Sequence, residues 1–378
     1  MPSDFFNSET DVSCPLCKYP AALLRESTNY RPFLPSSSCQ SPISVALLHC
    51  HICNHGFLAD NFTGSLENYY ADGPRRGTQR AVTQREITSA SAILSNISSR
   101  QAQTVLEIGG GFSPFPRLLI ESGRISSYLS VDPAFRYLTE HPVGGLDEFT
   151  FADKLPQEGQ FSIIVIRQVL EHIWDLPDFL AELKSLGNHD LIVYVEVPNF
   201  SHTLRYGSWF DICFEHKHYF TQESLVSVLK RAGLHPFSHG FLNDEHDFYV
   251  IASSGQPHEG APKNTGCIGD RFTPAWPQLP DHYFGYGLNS NLESILNFSR
   301  GSTPRYIFDD GVGVNQTYLG SKRIEVGPFS ERKFLDLREK YGDLPVIIFA
   351  PFSLQNIRAK LPENQVAAVI SGSGLLPV

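Results

Sequence analysis

Thr104-Val-Leu-Glu-Ile-Gly-Gly-Gly-Phe112 is the stretch on which the reading of this chain turns. Its apolar, β-branched start suits a strand. The three glycines that follow leave the chain end bare, so that a ligand can lie directly against backbone. Twenty-one residues past Gly111 comes Tyr128-Leu-Ser-Val-Asp132-Pro133, a second strand, which ends in a carboxylate able to take a ribose diol. The pair predicts adenosine bound at the carboxyl edge of a parallel sheet. A dinucleotide is disfavoured, because Ser113 and Pro114 stand where the third glycine of that fingerprint would be.

Working outward, Glu107, Gly109, Gly110, Gly111 and Asp132 are the expected cofactor-binding residues, joined by Asp153 after Thr150-Phe-Ala and by Gln168. Asp153 is placed to meet an adenine amino group, with a plain surface carboxylate as the alternative. Gln168 follows the apolar strand Phe161–Ile166 at the same sheet edge. Glu171 and His172 are expected to open the next helix and face the pocket, since ligands of open α/β sheets sit at strand carboxyl ends. Cys213-Phe-Glu215-His216-Lys-His218-Tyr219-Phe220 is the segment richest in chemistry, with an acid, two imidazoles and a phenol within five residues. That set suits proton abstraction near neutral pH. A metal held by His216 and His218 is the competing reading, and no third ligand is evident for it.

Cys14-x-x-Cys17 and Cys50-x-x-Cys53, 32 residues apart, offer four thiolates in two knuckles, the set that tetrahedral Zn²⁺ takes. A closed four-sulfur shell leaves no position for water, so the expected zinc is structural. Unrelated core cysteines or a redox pair are the alternatives. Cys39, His49, His51 and His55 lie near enough to replace a ligand.

The chain has 378 residues, more than one hydrophobic core usually serves, with 30 basic and 40 acidic side chains and a net charge of -10. That balance, with no basic run against it, argues against nucleic acid as a partner. The apolar runs are strand-sized and the start shows no secretory pattern, so a cytoplasmic protein without a membrane segment is expected. The fold class expected is α/β. Residues 1–60 form a zinc-binding module, 61–255 a Rossmann-like domain with a helical lead-in over 61–100, 256–280 a linker and 281–378 a smaller α/β domain. Strands are expected at Thr104–Ile108, Tyr128–Val131, Phe161–Ile166, Leu191–Val197 and Phe248–Ala252. Helices are expected at Leu176–Ser185, Gln222–Ala232 and Asn291–Phe298.

Together these residues resemble the S-adenosylmethionine-dependent methyltransferases, and more narrowly the zinc-containing deoxysugar C-methyltransferase family, which joins a zinc module, a methyltransferase core and a carboxy-terminal α/β domain. The particular features are the four cysteines and Glu215-His216 with Tyr219-Phe220-Thr221. The resemblance implies S-adenosylmethionine as donor and Glu215 and His216 as the catalytic pair, His216 being the base. It also implies His172 near the reacting centre and Tyr69 or Tyr70 closing the pocket. The acceptor implied is a small molecule, a nucleotide-linked keto-sugar methylated on carbon through an enolate. The family has Tyr where this chain has Cys213, and its small-residue turn is replaced by Gly285-Tyr-Gly-Leu-Asn-Ser290. An oxygen or nitrogen methyltransferase of secondary metabolism and a non-catalytic scaffold remain the alternatives.

Overall fold

The computed structural model describes residues 9–30, 43–60, 82–97, 103–111, 113–133, 145–206, 212–255, 279–287, 292, 302–310, 316–319, 322–349, 354–361, 366–371 and 374–377. These residues build three sheets.

The amino-terminal sheet is antiparallel, with β1 (Glu9–Ser13), β2 (Pro20–Tyr30), β3 (Ile43–Cys50) and β4 (His55–Asp60) in sequential order. Its fifth strand is β10 (His218–Tyr219), which comes from far along the chain and pairs His218 with Phe57 and Tyr219 with Gly56. The cysteine-bearing module is therefore completed by backbone from the chain's middle.

The central sheet holds β5 (Gln103–Ile108), β6 (Ile125–Val131), β7 (Phe149–Ala152), β8 (Phe161–Arg167), β9 (Gly187–Pro198), β11 (His235–Leu242) and β12 (Asp247–Ser253). Its order is β11-β12-β9-β8-β5-β6-β7. Strands β5 to β9 run parallel, and β12 lies antiparallel to both its neighbours. Four consecutive buried residues, Ile163 to Ile166, mark β8 as covered on both faces, as parallel strands are. Two apolar clusters supply that cover: one includes Leu106, Ile164, Leu180 and Leu229, the other Val105, Phe115, Tyr128 and Ile163.

Helix α1 (Gln84–Asn96) opens with a capping box between Thr83 and Glu86. After β5 comes the short α2 (Phe115–Ile120). Helix α3 (Leu176–Ser185) starts at the cap Asp175 and buries Leu176, Leu180 and Leu183, one stripe at helical spacing. Behind β9 lies α4 (Phe200–Tyr206), and α5 (Gln222–Arg231) carries a second capping box, Thr221 with Ser224. The five expected strands are present. Strands β6 and β9 begin earlier than their apolar runs, because Ile125 still pairs with Gln103 and Gly187 with Phe161, each across an irregularity in register that spans exposed residues such as Ser126, His189 and Asp190. One expectation is corrected: Glu171 and His172 do not open α3 but sit in a separate 3-10 turn, Leu170–His172. Asp175 provides the cap, and Pro177 suits the helix's first turn.

The carboxy-terminal sheet contains β13 (His282–Tyr286), β14 (Thr303–Phe308), β15 (Gln316–Leu319), β16 (Lys322–Gly327), β17 (Val346–Ile348), β18 (Val366–Ser371) and β19 (Gly374–Pro377). Helix α6 (Glu331–Tyr341) packs Phe334 and Leu337 against it. Among its elements is the five-residue α7 (Leu354–Arg358). The expected helix Asn291–Phe298 and the expected linker fall almost wholly outside the described residues. One cluster joins the first and last sheets through the segment that follows β9, with Val45, Leu58 and Tyr219 from the first sheet, Phe200 and Phe214 from α4 and the loop before β10, and Tyr283 and Phe349 from the last. Gly56 permits this contact, since a β-carbon there would lie 2.4 Å from the Phe200 ring. Among the described residues no helix is long and apolar enough to cross a membrane.

Candidate active site

Strand β5 neighbours β6 on one side and β8 on the other, so the connections leave it in opposite directions and a crevice opens at the carboxyl ends of β5 and β8. The glycine turn sits at this switch point. Gly109 and Gly111 have φ of 68° and 54°, the left-handed region that a side chain resists. At Gly110 the constraint is space: a β-carbon would stand 2.5 Å from both Glu107 Oε2 and Ser130 Oγ. Gly109 in turn lies against Val169, with room for no β-carbon beside its Cγ2 at 2.3 Å.

The Gly111 N–H donates to Asp132 Oδ2 at 3.0 Å, which brings the ends of β5 and β6 together. Asp153, half-buried, follows β7 on the same side. Glu107 is placed differently from its expected role. Its carboxylate is wholly buried beneath the turn, accepting from Tyr128 Oη at 2.8 Å and from Arg167 Nε at 3.3 Å. Burial pushes its pKa up, and the Arg167 charge and these hydrogen bonds oppose that. It supports the turn from below. Arg167 also donates to Ser113 Oγ at 3.1 Å and lies over the Phe115 ring, and Ser113 donates to Glu86. Arg167 was not anticipated, because a lone Arg at a strand end carries no spacing signal.

Gln168 occupies a left-handed φ of 54° at the end of β8, a conformation uncommon for a residue with a side chain. Its amide Nε2 donates to Asp247 Oδ1 at 3.3 Å. Asp247 also accepts from Asn243, pairs with Arg85 at 3.5 Å and meets His246 Nδ1 at 3.2 Å. Burial alone would raise this carboxyl, but those donors hold it below the usual aspartate value. Arg85 further holds the fully buried Glu196 at 2.5 Å, and Ser89 and Tyr194 donate to the same carboxylate. The network anchors α1 to the sheet edge.

Beyond Val169 the chain makes its 3-10 turn and presents Glu171 and His172 to the loop carrying Glu215 and His216. The His172 and His216 rings stand 4.6 Å apart, edge to face at 75°. His172 Nδ1 lies 3.1 Å from the Glu215 carbonyl, and the Lys217 N–H donates to the Glu171 carbonyl at 2.8 Å. The expected grouping of His172 with the Glu215-His216 segment is thus present in space. The Glu215 side chain is 7% exposed, and the carboxylate grouped with the two imidazoles is that of Glu171. His218, by contrast, turns to the amino-terminal sheet, where its Nδ1 lies 3.0 Å from His55 Nε2. Both rings are buried, and burial lowers both pKa values, that of His218 to about 4. The expected alternative of His216 and His218 as a metal pair is corrected by this divergence. Tyr69 and Tyr70 lie outside the described residues.

Cys14, Cys17, Cys50 and Cys53 converge, all four sulfurs within 4.8 Å of one another. Cys14 and Cys53 are 3.6 Å apart, Cys17 and Cys50 3.3 Å. Four thiolates about 2.3 Å from one zinc stand roughly 3.8 Å apart, so the donor set fits that ion and is far from disulfide distance. The two knuckles match in backbone as well, with Lys18 and Asn54, each just past its second cysteine, at φ of 66° and 56°. His49 bonds Asn54 at 2.8 Å and His55 bonds His218, so these two have other work; Cys39 lies outside the described residues. Lys217 and Asp60 make a buried ion pair across the same boundary, the ammonium lying 4.3 Å from the Trp174 ring and 4.4 Å from that of Phe214. A polar cleft lined by Asn199, His202, Thr221, Glu223 and Phe241 opens beyond β9 and includes none of the predicted site residues.

Residues 78–239 match the family described as "Methyltransferase domain". That span is a methyltransferase domain. The matched span contains the glycine turn, Asp132 and the imidazole cluster. No curated protein matches this chain. Among solved structures it is similar to the Burkholderia thailandensis 1,6-didemethyltoxoflavin-N1-methyltransferase, at 16% identity over 60% of this chain and 100% of that one, with a TM-score of 0.39. It is also similar to a Mesorhizobium loti S-adenosylmethionine-dependent methyltransferase, at 15% identity over 43% and 96%, with a TM-score of 0.36. Superpositions that loose decide nothing about the reaction.

Proposed function

We propose that this methyltransferase moves a methyl group from S-adenosylmethionine to carbon of a nucleotide-linked keto-sugar. One observation carries the reading: His172, three residues past the Val169 that packs on the glycine turn, stands against the His216 ring with the Glu171 carboxylate beside both. The donor's adenosine would lie over Gly109 to Gly111 with its ribose on Asp132, and Asp153 within reach of the base. That leaves the sulfonium methyl near the crevice between β5 and β8.

The acceptor enters from the side of His172 and His216, and this cluster supplies the base. Loss of the proton next to the ketone gives an enolate; its carbon forms the new bond as the sulfur–methyl bond breaks, leaving S-adenosylhomocysteine. The protein's part is to hold the two reacting carbons in line and keep water out. The four-cysteine site is proposed to hold a structural zinc. It shapes β1 to β4, the surface on which β10 and thus the His216 loop is laid. A cytoplasmic location and a small-molecule partner complete the reading. Methylation on oxygen or nitrogen is the rival, since it needs only a weak base.

Incubation with methyl-labelled donor and a panel of nucleotide-linked keto-sugars in deuterated water tests this. Label on carbon, with deuterium entering recovered substrate, is the expected result. A new ether or amine signal without exchange would overturn the carbon chemistry.

A further inference from the structure

Glu171, His172 and His216 place a carboxylate oxygen and two ring nitrogens within 4.8 Å of one another. We propose that these three residues bind a divalent transition-metal cation, separate from the four-cysteine site, that holds the acceptor's oxygen. The inference rests on the reading above and gives the cluster's base a definite form.

The geometry supports it in three ways. Ligand atoms about 2.0–2.2 Å from one ion lie roughly 3–4 Å apart, so the set closes with movements under about 1 Å. His172 Nε2 already stands 3.9 Å from Glu171 Oε1. The hydrogen bond of the ring also suits a ligand. A carbonyl only accepts, so the 3.1 Å contact with the Glu215 carbonyl places hydrogen on His172 Nδ1, and in the neutral ring Nε2 then carries the lone pair. A ring N–H on a backbone carbonyl is the usual support of a histidine whose other nitrogen ligates a metal. Finally, the Lys217 N–H on the Glu171 carbonyl laces the two ligand-bearing segments together, so the ligands ride on paired backbone.

Two nitrogens and one oxygen suit Mn²⁺, Fe²⁺, Co²⁺ or Zn²⁺ better than Mg²⁺, and differ from the all-thiolate site that favours zinc. Three protein ligands leave positions for the ketone oxygen and a hydroxide. The hydroxide takes the proton and becomes water, the cation bears the enolate's charge, and the methyl then leaves sulfur for carbon.

The test is titration of the zinc-loaded full chain with Mn²⁺, followed by loss of the free ion's paramagnetic resonance signal, in the wild type, Glu171→Gln and His216→Asn. S-adenosylhomocysteine binding by calorimetry is measured on each. The expected result is one Mn²⁺ per chain, weakened more than about 100-fold in both variants, with nucleoside binding retained as proof of folding. Absence of Mn²⁺ binding, or binding equal in the variants, overturns the site. Failure to bind S-adenosylhomocysteine would instead strike the methyltransferase reading, whatever the cation does.

Discussion

The backbone N–H of Gly111 and the carboxylate of Asp132 meet at 3.0 Å, joining the ends of two adjacent parallel strands across the crevice. One Asp132 oxygen is thereby fixed by backbone, and the carboxylate is aimed before any ligand arrives. Such preorganisation removes the need to order it on binding.

The turn itself should tolerate no added carbon. Gly110→Ala would press a methyl against Glu107 and Ser130 at 2.5 Å, in a site where both neighbours are buried. The expected outcome is a loss of about 1–3 kcal/mol in urea unfolding, with weaker S-adenosylhomocysteine binding. Unchanged stability and affinity would mean that the turn is looser than described.

Arg85 faces Glu196, which is wholly buried. Arg85→Leu leaves that carboxylate without its cation, for an expected cost of about 3–5 kcal/mol. Adding Glu196→Gln should recover much of the loss, because the uncompensated charge is then gone. A double-mutant cycle by denaturant unfolding measures the coupling.

Asp247, held below the usual aspartate value by His246, Arg85 and Asn243 against the effect of burial, predicts a pH dependence. A depressed carboxyl contributes stability that is present above the unfolded pKa of about 3.9 and is lost as pH falls through the folded value. Asp247→Asn should therefore lower stability at pH 7 and flatten its decline below about pH 4. Unfolding curves collected from pH 3 to 7 read this directly; equal slopes in the two proteins would contradict it.

How much of this was legible in the sequence depended on how far apart the partners lie. The glycine run, Asp132 and the five strands could be read because apolar runs and turn residues are local signals. The cysteine knuckles were legible because each pair needs only four residues. Glu107 was misplaced since spacing puts it at the strand end but cannot say that Tyr128 and Arg167 draw its carboxylate beneath the turn. The pairing of β10 with β4 was invisible, being a contact between residues more than 150 apart. For the same reason His218 looked like a companion of His216, when its partner is His55.

The four-cysteine site has its own test. Elemental analysis should find one zinc at the knuckles, and Cys50→Ala should lose it and destabilise β1 to β4, since a structural zinc supplies folding energy directly. Because β10 belongs to that sheet, methyl transfer should fall as well. Full activity in a zinc-free variant would separate the module from the site.

The donor site is tested most directly by calorimetric titration of the full chain with S-adenosylhomocysteine, comparing wild type with Asp132→Ala. One nucleoside per chain is expected, with affinity at least about tenfold lower in the variant, as loss of a charged hydrogen bond to ribose implies. No binding to the wild type, or equal affinity in both, would contradict a methyl donor seated between Gly111 and Asp132.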